Sequence, residues 1–423
     1  MNRPLRSHSD ALSRNGLLED LHRVRDLTVR LCDPLSAEDC VVQSAPETSP
    51  AKWHLAHTTW FFENFLLLPY LPKYRPFHPR FGFLFNSYYE SVGEFHPRLQ
   101  RGLLSRPSLE EIKAYRVHVD QHMVMLLEAP ESANAGEVGG RVTLGIHHEQ
   151  QHQELLLTDI KHLLACNPLQ PAYREAKSPD SRINPSLDWL RLPAGMYAFG
   201  HDGDGFAFDN EMPRHRRYLD EFSLASRPVT NAEYIDFIAA GGYRQPTLWL
   251  SDGWRKINEA RWTAPLYWER QNGEWWQMTL AGYRRVEPSE PVCHVSYYEA
   301  DAFARWAGKR LPTEFEWEAA AAGTQTLGGN FLESGRLHPQ SARGGASQFF
   351  GDVWEWTQSA YSPYPGYRAP GGALGEYNGK FMVNQLVLRG GSCVTPATHI
   401  RASYRNFFYP QDRWQFMGIR LAA

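Results

Sequence analysis

GIHHEQQHQELLL, residues 145–157, can be divided in two ways. His148-Glu149-Gln150-Gln151-His152 spells H-E-x-x-H, the zinc-protease signature, with Glu149 as its general base. His148-x3-His152-x-Glu154 is a different metal motif, in which Glu149 has no chemical task. Residues four apart on an α-helix are separated by ~40° and one turn, so His148 and His152 can grip one ion under either division. A third ligand decides between them.

A protease takes that ligand from downstream: a His in H-E-x-x-H-x-x-G-x-x-H, or a Glu on a following helix. After His152 come Gln153-Glu154-Leu155-Leu156-Leu157, without the Gly or His, and the candidate Glu175 sits in a proline-broken stretch. Upstream, KWHLAHTTWFF (52–62) offers His54 and His57 on one helical face. Three neutral imidazoles leave positions open on an octahedral ion, which suits Fe(II) with O2 and a substrate; zinc and copper remain open on residue types alone. Glu154 lies ~200° around the helix from His152 and cannot share its ion. His147 is turned ~100° from His148.

The rest of the chain sets the frame. Its 423 residues suggest two or three domains, at ~100–200 residues each. Hydrophobic residues make up 42% and charged residues 22%, enough for a buried core, and a formal net charge of −3 offers no basic bias toward nucleic acid or an anionic membrane. No apolar run approaches the ~18 residues of a membrane span. MNRPLRSHSDALSRNG (1–16) lacks the apolar core of a signal peptide. Five scattered cysteines with no C-x-x-C spacing fit reduced thiols, hence a cytoplasmic protein. The sequence assigns no oligomeric state.

Apolar periodicity predicts helices over 17–32, 49–68, 108–128 and 137–165, the third opened by a capping box from Ser108 to Glu111. Four helices of this length predict a bundle with ligands projecting into its core. A loop over 69–107 separates the second and third helices, and loops so long are usually functional. Residues 168–185, with four prolines, read as a linker. From 186 to 423 short β-like runs alternate with Gly/Pro/Asn turns, with helical pieces at 229–239 and 296–307, which predicts an α+β domain. HDGDGFAFDNE (201–211) fails the EF-hand spacing and reads as a turn.

These motifs resemble the EgtB-type sulfoxide synthases of ergothioneine biosynthesis. WHLAH (53–57) and HHEQQHQE (147–154) resemble the histidine motifs of their DinB-like four-helix domain, here 1–167. PVCHVSYYEADAFARWAGKRLPTEFEWEAAA (291–321), GDVWEWTQS (351–359), VLRGGSCVTP (387–396) and GIRLA (418–422) resemble their C-type-lectin-like formylglycine-generating-enzyme/sulfatase-modifying domain, here 186–423. The resemblance implies an Fe(II) enzyme that uses O2 to join a thiol to C2 of hercynine, giving a sulfoxide. By motif position it implies His57, His148 and His152 as ligands and sets His54 aside. It implies that Gln151 contacts hercynine, as does Asn406 in YRNFF, and that Arg98 and Arg101 in HPRLQRG hold the thiol substrate's carboxylate. A guanidinium fork suits that carboxylate.

One departure bears on the thiol. Members that use γ-glutamylcysteine carry a tyrosine shortly before R-G-G-S, where this chain has Gln385. NSYYE (86–90) instead resembles a second subfamily, which places its catalytic tyrosine on the long loop and uses cysteine itself. That implies Tyr88 or Tyr89 as the proton or hydrogen-atom donor while the thiolate sulfur is oxidised and attacks the ring. Phe407, Phe408, Trp414 and Phe416 could face the trimethylammonium group through cation–π contact, though each suits a core equally well. Rival readings are a selenoneine synthase, a zinc metalloprotease, a formylglycine-generating enzyme and a lectin-like binding module. Only Cys293 and Cys393 fall in the second domain, without the close pairing that a formylglycine-generating enzyme needs.

Overall fold

The computed structural model describes residues 14–129, 134–175, 186–203, 205–324, 326–345 and 347–423. Residues 1–13, the turn residue Asp204 and the 176–185 part of the expected linker lie outside the described residues. The chain forms two compact units. The first comprises Met1–Leu163 with two short segments from later in the chain, Asp202–Ala207 and Pro370–Tyr377. The second comprises Leu164–His201, Phe208–Ala369 and Asn378–Ala423.

The first unit is helical, and its four long helices fall where the periodicity predicts. They are α1 (Arg14–Arg30), α2 (Ala51–Phe62), α5 (Leu109–Glu128) and α6 (Ala135–Cys166); between α2 and α5 come the short α3 (Leu68–Tyr70) and α4 (Phe81–Phe85). The long loop is thus partly helical, with a 3₁₀ segment at Arg98–Leu103. Every residue of α2 is buried, so α2 is the bundle's central helix, and a polar side chain on it must find an internal partner. It continues through a π-helical turn, Glu63–Leu67, a form that recurs near functional sites. Ser108 accepts from the Glu111 backbone N–H and Glu111 reciprocates at the start of α5, so the capping box forms. Leu21, Val24, Leu55, Trp60, Phe61, Met123, Val142 and Leu156 fill the core. Gly145 sets the approach of α6 to α2. A Cβ there would stand 2.6 Å from the Phe62 ring.

The second unit mixes short strands and helices. Its strands are β1 (Trp189–Leu192), β2 (Gly195–Phe199), β3 (His215–Leu219), β4 (Phe222–Ala225), β5 (Trp268–Gln271), β6 (Glu274–Thr279), β7 (Gly282–Arg285), β8 (Trp354–Ala360), β9 (Leu386–Arg389), β10 (Asn406–Phe408) and β11 (Met417–Gly418). A four-stranded sheet runs β10-β9-β8-β11, β5-β6-β7 form a meander, and β1 pairs with β4 and β2 with β3. The helices α7 (Asn231–Ala239) and α9 (Tyr297–Trp306) lie where expected, whereas α8 (Ser251–Glu259) and α10 (Glu314–Ala321) were not anticipated.

The dense motifs of this half are buried ion pairs. Arg420 of GIRLA meets Glu355 of GDVWEWTQS at 2.7 Å, and Trp317 Nε1 donates to the same carboxylate at 2.6 Å. Arg389 of VLRGGS meets Glu318 at 2.7 Å and Glu314 at 3.2 Å. Glu314 also receives Arg405 at 2.8 Å. These charges satisfy one another inside the unit, which explains why the motifs pair charged with aromatic residues.

Candidate metal centre and its surroundings

His148 and His152 lie one turn apart on α6, and His57 on α2 faces them. One ring nitrogen from each lies within 4.8 Å of the others, and all three rings are buried. Among the described residues this is the only such group of three. His57 Nδ1 is 2.6 Å from the Phe85 carbonyl, to which it donates, so its Nε2 is a bare acceptor. That Nε2 lies 3.2 Å from His148 Nε2. Burial holds all three in the neutral form. Burial pushes His148 down to about 3, and His57 and His152 fall well below the usual range, by burial first and then by His148. Neutral imidazoles with converging nitrogens, His57 Nε2 and His148 Nε2 among them, are a donor set that fits a divalent transition metal.

Glu149, between the two helical histidines, faces α1 and α5. It accepts from Arg25 Nη1 at 3.0 Å, from the Thr28 hydroxyl at 2.6 Å and from Arg116. Burial alone would raise its pKa, but Arg116 and Arg25 overcome it and hold the carboxylate down to about 2. A carboxylate clamped by two guanidinium groups cannot serve as a protease general base. The H-E-x-x-H division is thereby excluded.

His54 is not idle. Its Nδ1 lies 2.9 Å from His152 Nδ1 and its Nε2 lies 3.0 Å from Asp159 Oδ2. Next to it Trp53 stacks flat on His57, with centroids 4.6 Å apart at 9°. The Arg101 guanidinium lies over the Trp53 ring, 3.5 Å from its centroid. Arg101 is buried, and its Nη1 donates to the Ser49 hydroxyl at 3.0 Å while its Nε has no partner. Among the described residues no carboxylate forms an ion pair with it. Burial and then Arg98 push its pKa well down. Arg98 is exposed and donates to the Glu47 carbonyl.

The tyrosine pair follows directly on Phe85, whose carbonyl orients His57. Asn86 holds the turn, its Oδ1 accepting from Tyr89 N at 3.1 Å and its Nδ2 donating to the Tyr89 carbonyl at 3.0 Å. Tyr88 and Tyr89 stack at 4.5 Å with their hydroxyls 3.4 Å apart. Tyr89 is fully buried against Trp60, which also stacks on His57. Burial, then Tyr88 and Tyr377, raise the Tyr89 pKa well above the usual phenol value, so it keeps its proton.

Two residues of the late segment Pro370–Tyr377 complete this environment. The Glu376 carboxylate accepts from the backbone N–H groups of Glu90 and Ser91, each at 3.0 Å, and from the Ser91 hydroxyl. Tyr377 donates to Gln151 Oε1 and stands edge-on to His148 at 5.8 Å. Sequence reasoning overlooked both residues because nothing local marks GEYNG as part of the helical unit. It also overlooked Asp159. His147 stacks on Phe206 at 4.0 Å, turned away as its helical position predicts.

In the second unit, Asn406 is half-buried on β10 and its Oδ1 accepts from Phe407 N at 3.0 Å. Phe407 stacks on Tyr361 at 4.0 Å, and Phe416 is fully buried against His294. Gln385 is buried and donates to the Phe381 carbonyl at 3.3 Å.

Comparison with known proteins agrees with this architecture. Residues 20–156 match the DinB superfamily, and 175–344 with 338–423 match the sulfatase-modifying factor enzyme 1-like domain. The hercynine oxygenase of Mycolicibacterium thermoresistibile is 34% identical over 97% of this chain and 95% of its own. That of Mycolicibacterium smegmatis is 32% identical over 97% and 99%. The formylglycine-generating enzyme of Streptomyces coelicolor is 31% identical, over 60% of this chain and 94% of its own. Among the described residues no helix is long and apolar enough to cross a membrane. With both parts matched in order along nearly the whole length, the chain belongs to the hercynine oxygenase family and is an oxygenase.

Proposed function

We propose that this protein joins L-cysteine to C2 of the hercynine imidazole with O2, holding Fe(II) through His57, His148 and His152. The observation that carries the reading is the buried, neutral three-histidine cluster beside a buried guanidinium, Arg101, that has no ion-pair partner among the described residues. The balance is one O2, one thiol and one imidazole C–H giving a C–S bond, an S=O bond and one water. Iron, when bound, supplies the redox chemistry that activates O2 toward the thiol.

The chain's own groups account for the rest. Arg101 offers its charge to the carboxylate of the thiol substrate, and an incoming anion there stabilises a buried cation that lacks an ion pair among the described residues. Arg98 is the second arginine assigned to that carboxylate. Gln151, held by Tyr377, presents its amide to hercynine. Tyr88 and Tyr89 hold phenolic protons at Oη for transfer as the sulfur is oxidised. The choice of cysteine is supported by Gln385 standing where γ-glutamylcysteine users carry tyrosine. No nucleic acid or membrane enters the reaction, and a cytoplasmic setting suits the reduced thiols.

The test is an aerobic assay with Fe(II), hercynine and either cysteine or γ-glutamylcysteine, read by mass spectrometry. A sulfoxide adduct with cysteine is expected. Absence of adduct with both thiols rejects the reaction, and turnover with γ-glutamylcysteine alone rejects the choice of thiol. Tyr88→Phe and Tyr89→Phe should each be made as well. In at least one of them, turnover should shift from C–S coupling to oxidation of the thiol alone, with the product ratio moving by about 10-fold or more and by no more than the ~10²–10⁴ that a general acid supplies. Unchanged ratios in both variants would remove the tyrosines from the reaction.

A further inference from the structure

The hydrogen bonds around His54 close on themselves from two directions. Starting from the carboxylate, Asp159 Oδ2 already accepts from Ser49 N at 2.8 Å and has no proton to give, so His54 Nε2, 3.0 Å away, carries a hydrogen. With its hydrogen on Nε2, His54 turns Nδ1 as an acceptor toward His152 Nδ1 at 2.9 Å, and His152 Nδ1 is the donor. Starting from the metal, the same answer follows. His152 points Nδ1 at His54, so its ligating nitrogen is Nε2; that atom must be bare, and the ring's one proton then sits on Nδ1.

We propose that Asp159 and His54 form a positioning relay that locks His152 in its metal-binding tautomer and orientation. His54 acts through His152 and touches no reacting atom. The inference rests on the reading of His57, His148 and His152 as a metal centre. Carboxylate partners of ligating histidines act in this way, but here a second imidazole stands between the acid and the ligand. The relay also reaches the arginine assigned to substrate. Ser49 donates its backbone N–H to Asp159 and accepts Arg101 Nη1 on its hydroxyl, so the ligand's orientation and the Arg101 side chain share one residue. All of these side chains are buried, so water does not compete for the bonds.

The readouts are metal affinity and tautomer state in the full-length protein. Co(II), added anaerobically to apo-protein, is followed by its d–d spectrum and by titration calorimetry. His54→Leu removes the acceptor for His152 Nδ1–H and should weaken Co(II) binding ~10–100-fold, the range typical of outer-shell partners. His54→Asn places an amide oxygen close to the lost Nδ1 and should recover most of that affinity. Histidine ¹⁵N shifts in the unsubstituted apo-protein, which need no variant to fold, should show His152 protonated at Nδ1 and His54 at Nε2. Equal affinity in wild type and His54→Leu, or His152 protonated at Nε2, overturns the relay. A wild-type protein that binds neither Co(II) nor Fe(II) overturns the metal centre itself, a separate result.

Discussion

Replacing His148 by alanine is expected to abolish iron retention and lower sulfoxide formation by at least ~10³-fold. A ligating histidine is one of three donors, so its loss should exceed the ~10–100-fold of an outer-shell partner in affinity alone. The fold should tolerate the change. His148 Nδ1 makes no hydrogen bond, so its removal orphans nothing at that end. Linkage separates the two effects: a metal held at 100 times its Kd adds ~2.7 kcal/mol to folding stability, which shows as a rise in Tm. Wild type should show that rise with Fe(II) under anaerobic conditions and His148→Ala should show almost none, while the two metal-free proteins unfold at similar temperatures. An iron-dependent rise in the variant equal to that of wild type would remove His148 from the ligand set.

Glu149→Ala, one residue away, should behave in the opposite manner. It leaves Arg116 buried with only neutral acceptors, the carbonyls of Leu55 and Arg25 and the hydroxyls of Thr58 and Thr59. Arg25 keeps Asp120 but loses its buried partner. Breaking a buried pair in this way typically costs ~3–5 kcal/mol, against a total stability of ~5–15 kcal/mol. The expected result is a large fall in the urea midpoint or loss of soluble protein. Glu149→Gln, which keeps the oxygen and loses the charge, should fall between. A protease general base would give the reverse pattern, with activity gone and stability intact. Unchanged unfolding of Glu149→Ala would remove the carboxylate from the fold's buried charge network.

The contrast between these neighbours shows what could be read from the chain in advance. The helices were legible because apolar residues recur at helical spacing and because Ser108-x-x-Glu111 marks a helix start. The pairing of His148 with His152 was legible because four residues return a side chain to the same face. The third member of the cluster, His57, needed the resemblance, since spacing alone admitted His54 as well. What stayed hidden was set by contacts between distant residues. Glu149 looks the same in sequence whether it faces a metal or two arginines, and Arg25 and Arg116 come from other helices. Asp159 lies beyond the motif that gives His152 its meaning. Helix α10 could have been read from Thr313-x-x-Glu316, a capping box that forms as written. Helix α8 offered less, for it is only nine residues long and buries only Gly253 and Ile257.

The short segment that brings Glu376 and Tyr377 to the helical unit bears on how such an enzyme can evolve. Fusion of a bundle and a lectin-like module invites the picture of interchangeable parts joined by a tether. That picture fails at Glu376. The turn bearing the two tyrosines is fastened by a residue encoded nearly three hundred positions downstream, through Ser91. A recombinant that took its second half from a relative lacking this Glu-Tyr pair would inherit the three histidines intact and a slack tyrosine turn. Selection on the reaction therefore acts on both halves of the gene together, and an exchange of halves must bring the matching pair with it.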